Sequence, residues 1–506
     1  MPIDMDRFRP GIRAARSPCP QSALPAFPCN SRWLALGLAV FFIGQTAIRL
    51  AFPHALESDE AQQVLWSQWL TKTYPGQPPL YTWIVIGLGR FSPSPIWTLA
   101  VLKNALLLIF HLSVLAAGKR LFADPFRPVL ATVSLFLIPQ IAWESQRDLT
   151  HSVLAMSLAA MLFVTTLDLL RHPAPWRAGC WGVLAAALLL AKLNGLYVLI
   201  AISLAAAWTA RNAQTRAALA LAWLPAMLIA APVLLALPAE LSDTTAALRA
   251  DAHSSLGGSL QSLVLATISF VLPFTLVWTL CFRPWRSKSP SLRQNFSFSF
   301  YFSTLLATLI FSAWVLSFPH FKDRWLQPLL FLVPLWAFSH TGDGCLAAAR
   351  MRRFLRLSAT IAWLILLLMP LRILLGPALA DPNRMNVPYP ALAAQLETQG
   401  FQNGRILAAD ALTAGNLKLQ FPGSAVVDPV TLARLGWPEG APAGPCLWVW
   451  RATAERSAPP ASLTRLATTD DLPLNPQPLY WVPTWPASDA AFAFGYALTQ
   501  DCPDAD

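Results

Sequence analysis

Charge is what this chain has least of. Only 12% of its 506 residues are Asp, Glu, Lys or Arg, about half the share of an ordinary soluble domain. That scarcity excludes a water-soluble globular protein, because too few ionised groups are present to cover its surface. Acids are scarcer than bases, 26 against 37, for a net charge of +11. The excess does not point to nucleic acid: the basic residues are scattered over many short loops, and no RNA- or DNA-binding signature accompanies them. No Gly-rich phosphate cradle and no zinc-type cysteine spacing is present, which removes P-loop and zinc-finger chemistry. No internal repeat is evident.

What the chain does have is apolar sequence, 55% of its residues. A basic tail (Arg7, Arg9, Arg13, Arg16) precedes a run from Trp33 to about Phe52. At roughly 20 residues that run is long enough to cross a bilayer and long for a signal-peptide core. It lacks a clear small-x-small cleavage site and reads as an uncleaved first helix. Further runs follow near 96–118, 128–143, 150–170, 178–193, 195–210, 217–238, 260–282, 298–318, 325–340 and 355–376, giving eleven expected spans. Pro79–Phe91 is apolar but too short to cross. With Trp66, Trp69 and Trp83 nearby, residues 59–91 are expected as helices lying in the interface.

Orientation follows from the cations. With the 1–32 tail placed in the cytoplasm, Lys119/Arg120/Arg127, Arg171/Arg177, Arg211/Arg216, Arg283/Arg286/Lys288/Arg293 and Arg350/Arg352/Arg353/Arg356 all fall on the inside, as the positive-inside rule requires. Most acids then fall outside: Glu57, Asp59, Glu60, Glu144, Asp148, Glu240, Asp243, Asp251 and Asp323. Chemistry is expected on the outer face. From about Pro377 the composition changes. Arg405–Ala409, Ser424–Val427 and Cys446–Trp450 read as short buried strands, with a helix near Ala414–Leu419. The expectation is an all-α polytopic membrane domain over 33–376 and a small outer α/β domain over 377–506. Of seven cysteines, only Cys446 and Cys502 map outside; they could pair in an oxidising compartment, or simply coexist.

The acids carry the first chemical signal. Glu57-Ser58-Asp59-Glu60-Ala61 stands at the foot of the first span, ahead of Tyr74-Pro75-Gly76-Gln77-Pro78-Pro79-Leu80. Acids held at a membrane boundary are costly and mark function. A structural reading also exists: Asp59 as helix N-cap with Glu60 in the first turn. Trp143-Glu144-Ser145-Gln146-Arg147-Asp148 sets a second acid, Asp148, on the same side, either capping the next span or facing Asp59. Two such acids could handle a proton or hold a metal. Lys192, Lys322 and Arg324 are outer cations suited to phosphate. Lys103, about 10 Å inside its span, either joins them or snorkels. Arg147 would pair with an acid or meet lipid phosphate, and His253 is a weak candidate metal ligand beside Asp59.

Taken together, Ser58-Asp59-Glu60-Ala61, Gln77-Pro78-Pro79-Leu80, Arg147-Asp148, Lys192 and Lys322-Asp323-Arg324-Trp325 with Pro328 resemble the membrane-embedded glycosyltransferases of the GT-C type. The likeness is to the family-39-like group of protein O-mannosyltransferases and aminoarabinose lipid A transferases. The resemblance implies an inverting transferase of the bacterial inner membrane. It would move a sugar from a polyprenyl-phosphate donor to a lipid, glycan or protein acceptor at the outer face. It implies Asp59 as the catalytic acid or base, Asp148 as its partner, and Lys192, Lys322 and Arg324 binding the departing lipid phosphate. From their positions on the outer side, Glu60, Lys103 and Arg147 are also expected around the substrates. A divalent metal is allowed but not required, and Gln77 stands where the group usually has His. The rival reading is a lipid-linked sugar flippase, which should show inverted repeats and mid-span ionisable groups.

Overall fold

The computed structural model describes residues 31–236, 256–282, 292–316, 321–453, 457–470 and 472–503. The membrane part opens with α1 (Ser31–Leu50), followed by two short helices, α2 (Ser58–Trp66) and α3 (Leu80–Gly89). Then come α4 (Pro95–Leu121), α5 (Phe126–Val133), α6 (His151–Arg171), α7 (Pro175–Ala191), α8 (Gly195–Thr209), α9 (Ala213–Leu234), α10 (Leu256–Phe282), α11 (Phe298–Leu316) and α12 (Ala348–Leu375). Among the described residues, seven helices are long and apolar enough to cross a bilayer by themselves. Helices α7 and α8 are shorter apolar helices separated by Lys192–Asn194. Gly195 opens α8 where a Cβ would press on the Leu188 side chain, so the two helices meet closely there.

Two of the eleven expected spans are not straight helices. The run expected at 128–143 bends by 74° between Phe126–Leu137 and Gln140–Arg147. Pro139, which lacks an amide hydrogen, lies at the break, and a π-turn follows at Gln140–Glu144. The run expected at 325–340 is a chain of short turns, Asp323–Leu326, Gln327–Leu330 and Val333–Ser339. Pro328 and Pro334 each stand within the first two positions of a short helix. This segment is buried from Leu326 through Leu335, so its apolar character serves the bundle's core rather than lipid contact.

The ends of the helices sort by charge. At the end of α4, Arg120 pairs with Asp168 of α6 at 2.6 Å. Some acids also stand at the cation-rich end. Arg127 is fully buried and held by Asp343 at 2.6 Å, with Asp124 at 3.9 Å, so acids there serve as counter-ions.

After Leu375 the chain builds helices α13 (Tyr389–Thr398), α14 (Ala411–Gln420), α15 (Pro429–Leu435) and α16 (Ala461–Thr469) around a five-stranded sheet ordered β2-β1-β3-β5-β4. The strands are β1 (Arg405–Ala408), β2 (Ala425–Val427), β3 (Cys446–Ala452), β4 (Tyr480–Pro483) and β5 (Ala491–Thr499). The first three run parallel, whereas β4 and β5 add an antiparallel edge that the sequence reading omitted. Its signal was present: Phe492, Phe494 and Tyr496 alternate with small residues along β5, the period-2 spacing of a strand, and both of its faces are buried. A disulfide joins Cys446 to Cys502, fastening the start of β3 to the tail after β5.

This sheet domain sits directly on α2. Gly415 of α14 lies where a Cβ would strike the backbone of Ala61. The side chain of Asn416 accepts a hydrogen bond from the Leu56 amide at 2.8 Å. The Gln68 amide donates to the Val426 carbonyl at 2.8 Å and accepts from the Val426 amide at 3.1 Å. These backbone-level contacts fix the segment that carries the acids.

Candidate active site

Helix α2 starts two residues earlier than the capping pattern suggested. Glu57 occupies the N-cap position and Asp59 is the second residue of the helix, so Asp59 does not cap its own helix. Its backbone amide is one of the donors that the first helical turn leaves without a partner. That donor is satisfied by Asp148, whose Oδ1 accepts it at 2.8 Å. The exchange is reciprocal: Asp59 Oδ2 accepts from the Thr150 amide at the start of α6, at 3.3 Å. Each acid therefore receives a backbone N–H from the other's helix start. The bend at Pro139 and the π-turn after it place Asp148 close enough for this exchange.

Asp148 is buried, and its Oδ2 lies 3.6 Å from the half-exposed guanidinium of Arg384. Arg384 belongs to the segment leading into the sheet domain, and nothing in its local sequence marked it. Burial raises the Asp59 carboxyl above the usual carboxylate range, and the neighbouring Asp148 raises it further. Lys192 and Arg324 act in the opposite direction. Two acids in contact, with two cations within electrostatic reach, thus form one cluster.

Lys192 stands in the break between α7 and α8 and donates to Ser152 Oγ. Arg324 makes no ion pair among the described residues, although its backbone amide donates to Asp323 Oδ1 at 2.7 Å. Asp323 in turn accepts from Gln140 at 2.7 Å, and Asn194 donates to the Trp325 carbonyl at 2.8 Å. The Lys322-Asp323-Arg324-Trp325 segment is therefore tied to both the bend and the α7–α8 break. Lys322 itself is exposed. Beneath the acids, Gln63 links Thr82 (2.9 Å) to His151 (3.0 Å), and His151 reaches the Ala191 carbonyl at 3.2 Å. This polar string joins α2, α3, α6 and α7, and sequence spacing gave no sign of it.

Glu60 and Lys103 meet each other rather than an open site. Glu60 is buried between Arg49, at 2.7 Å, and Lys103, at 3.1 Å, and the Lys103 side chain is only 3% exposed. Burial works to raise the Glu60 carboxyl, but Arg49 and Lys103 together hold it down to about 2. Their charges are matched inside the protein. Arg147 pairs with Glu144 at 2.7 Å on the surface of the turn, the first of the two fates expected for it. Glu57 is held by Arg372 of α12 at 2.5 Å. His253 lies outside the described residues. Among the described residues, no three His, Cys, Asp or Glu side chains converge as a metal site would require.

No family model matches the chain. Over 413 residues it is 31% identical to the lipopolysaccharide core galacturonosyltransferase RgtB of Rhizobium johnstonii, an alignment covering 77% of this chain and 82% of that protein. It is 29% identical over 434 residues to RgtA of the same organism, also a lipopolysaccharide core galacturonosyltransferase, covering 82% and 85%. The fold is similar to that of ArnT from Cupriavidus metallidurans, in a crystal structure bound to undecaprenyl phosphate. The TM-score is 0.53 at 15% identity, covering 92% of this chain and 98% of that one. The apo ArnT structure matches equally well. The chain belongs to the GT-C membrane glycosyltransferases, in the family of the lipopolysaccharide core galacturonosyltransferases, as a multi-pass protein of the bacterial inner membrane.

Proposed function

We propose that this enzyme transfers a galacturonosyl unit from a polyprenyl-phosphate donor to a hydroxyl of a lipopolysaccharide core sugar, at the outer face of the membrane. The observation that carries the reading is the Asp59–Asp148 exchange with Lys192 and Arg324 beside it. The names of the relatives support the sugar and the acceptor, and ArnT's bound lipid supports the donor class. The cation distribution supports the sidedness, with the N-terminus inside and the sheet domain outside.

In this mechanism the acceptor hydroxyl attacks the anomeric carbon from the side opposite the phosphate. The new C–O bond forms as the bond to the phosphate oxygen breaks, and the anomeric centre inverts. Asp59 takes the hydroxyl proton; its raised proton affinity suits a base working near neutral pH. The departing group is the polyprenyl phosphate monoester. Lys192 and Arg324 stabilise its charge, and preorganised cations of this kind act most strongly where water is scarce. Asp148 orients α2 and keeps the Asp59 proton affinity high. Glu60, Arg49 and Lys103 hold the helix in place and touch no substrate. A divalent metal at Asp59 stays outside this scheme.

The test is reconstitution in vesicles with polyprenyl-phosphate galacturonic acid and a core oligosaccharide acceptor, read by mass spectrometry. The expected result is an acceptor heavier by one hexuronic acid residue. Movement of the intact donor across the bilayer without any mass gain on the acceptor would establish the flippase instead.

A further inference from the structure

A cavity lies far from the acids, at the cation-rich end of α1, α5 and α12. It measures about 810 Å³, within the range of small-molecule sites. Phe41, Phe136 and Leu355 contribute to its apolar wall, and Arg352 and Arg356 are its charged lining residues, with no Asp or Glu among them. Neither arginine forms an ion pair among the described residues. Ser358 also lines the cavity; it is 1% exposed, and its hydroxyl has no hydrogen-bond partner. A buried hydroxyl without a partner costs stability unless something else accepts its proton.

We propose that this groove is a binding site for one anionic glycerophospholipid of the leaflet facing the cation-rich end. Arg352 and Arg356, one turn apart on α12, hold the phosphate. Basic pockets between spans at this membrane level select acidic headgroups. Ser358 lies about 9 Å along the helix from Arg352, deeper in the bilayer, where the ester carbonyl of an acyl chain accepts its hydroxyl. The apolar wall takes the chain itself. A polyprenyl phosphate has no ester carbonyl to offer Ser358. The groove is also separated from the acids: Phe41 is about 14 Å along α1 from Leu50, with Glu57 and Asp59 beyond. This lipid is therefore neither donor nor acceptor.

The experiment is native mass spectrometry of the purified full chain in mild detergent. Phosphatidylglycerol, phosphatidylethanolamine and undecaprenyl phosphate are titrated separately. The wild type is expected to retain one phosphatidylglycerol in preference to phosphatidylethanolamine. R352Q/R356Q should weaken that binding by about tenfold or more. Gly37→Phe should displace the lipid by filling the groove, since Gly37 lines it and a Cβ added there meets nothing within 4 Å. Both variants should still transfer sugar. Equal retention of the two phospholipids, or unchanged binding in R352Q/R356Q, would overturn the site. Loss of undecaprenyl phosphate alone in the variants would give the groove to the donor.

Discussion

Asp59 and Glu60 are adjacent in sequence and opposite in circumstance. Glu60 faces inward between Arg49 and Lys103 and holds its proton weakly, with its charge matched by the protein. Asp59 faces a second acid and two cations that do not close on it, and it holds its proton more tightly than an ordinary carboxyl. The difference teaches how to separate structural from chemical charge in a membrane protein. A buried ion whose partners are all protein groups stabilises an arrangement. A cluster with cations left over is suited to a charged ligand.

The largest expected effect separates the two acids directly. Asp59→Asn keeps the size and the acceptor for the Thr150 amide, so the protein should stay folded. Transfer should fall by about 10²–10⁴-fold, the usual worth of a general base; normal turnover would end the assignment. Glu60→Gln should act through stability instead. Leaving Arg49 and Lys103 without their buried counter-charge should cost about 3–5 kcal/mol, read as a lowered thermal midpoint in detergent. An unchanged midpoint with lost transfer would move Glu60 into the chemistry.

The cations give the next contrast. Arg324→Gln should weaken donor binding by roughly 10–100-fold, from the loss of a charge-assisted hydrogen bond. Lys322→Gln should change it much less, because Lys322 is exposed and screened by water. Equal losses would mean that the loop closes over the donor. The smallest effect is a shift in pH dependence. Because Asp59 must be ionised to act and its proton affinity is raised, transfer should decline as pH falls, starting above the ordinary carboxylate range. Burial is the main cause and Asp148 the second. Asp148→Asn should move the acid limb of the rate profile toward lower pH, and a limb that stays in place would show that Asp148 does not tune Asp59.

Part of this site was legible in the sequence. Asp59, Asp148, Lys192 and Arg324 could be set at one end of the bundle because each stands beside an apolar run whose ends are ordered by flanking cations. Glu60 and Lys103 were placed around the substrates because one-dimensional spacing shows an ion's position along the chain but not its neighbours. Arg384 and the Gln63–His151 string were invisible for the same reason: their partners are tens to hundreds of residues away. The missed β5 is a different case, a local alternation hidden behind a Pro-rich stretch.

The sequence by itself determined a membrane bundle of apolar helices, its charge asymmetry and a small C-terminal α/β domain with short buried strands. These follow from composition and periodicity, which act along the chain. Only the tertiary structure decided that a proline break bends one run, that a proline-rich run is a string of buried turns, and that α14 presses on α2. It alone decided that Asp59 and Asp148 exchange backbone hydrogen bonds while Glu60 is neutralised internally. The fate of a charge depends on what packs around it.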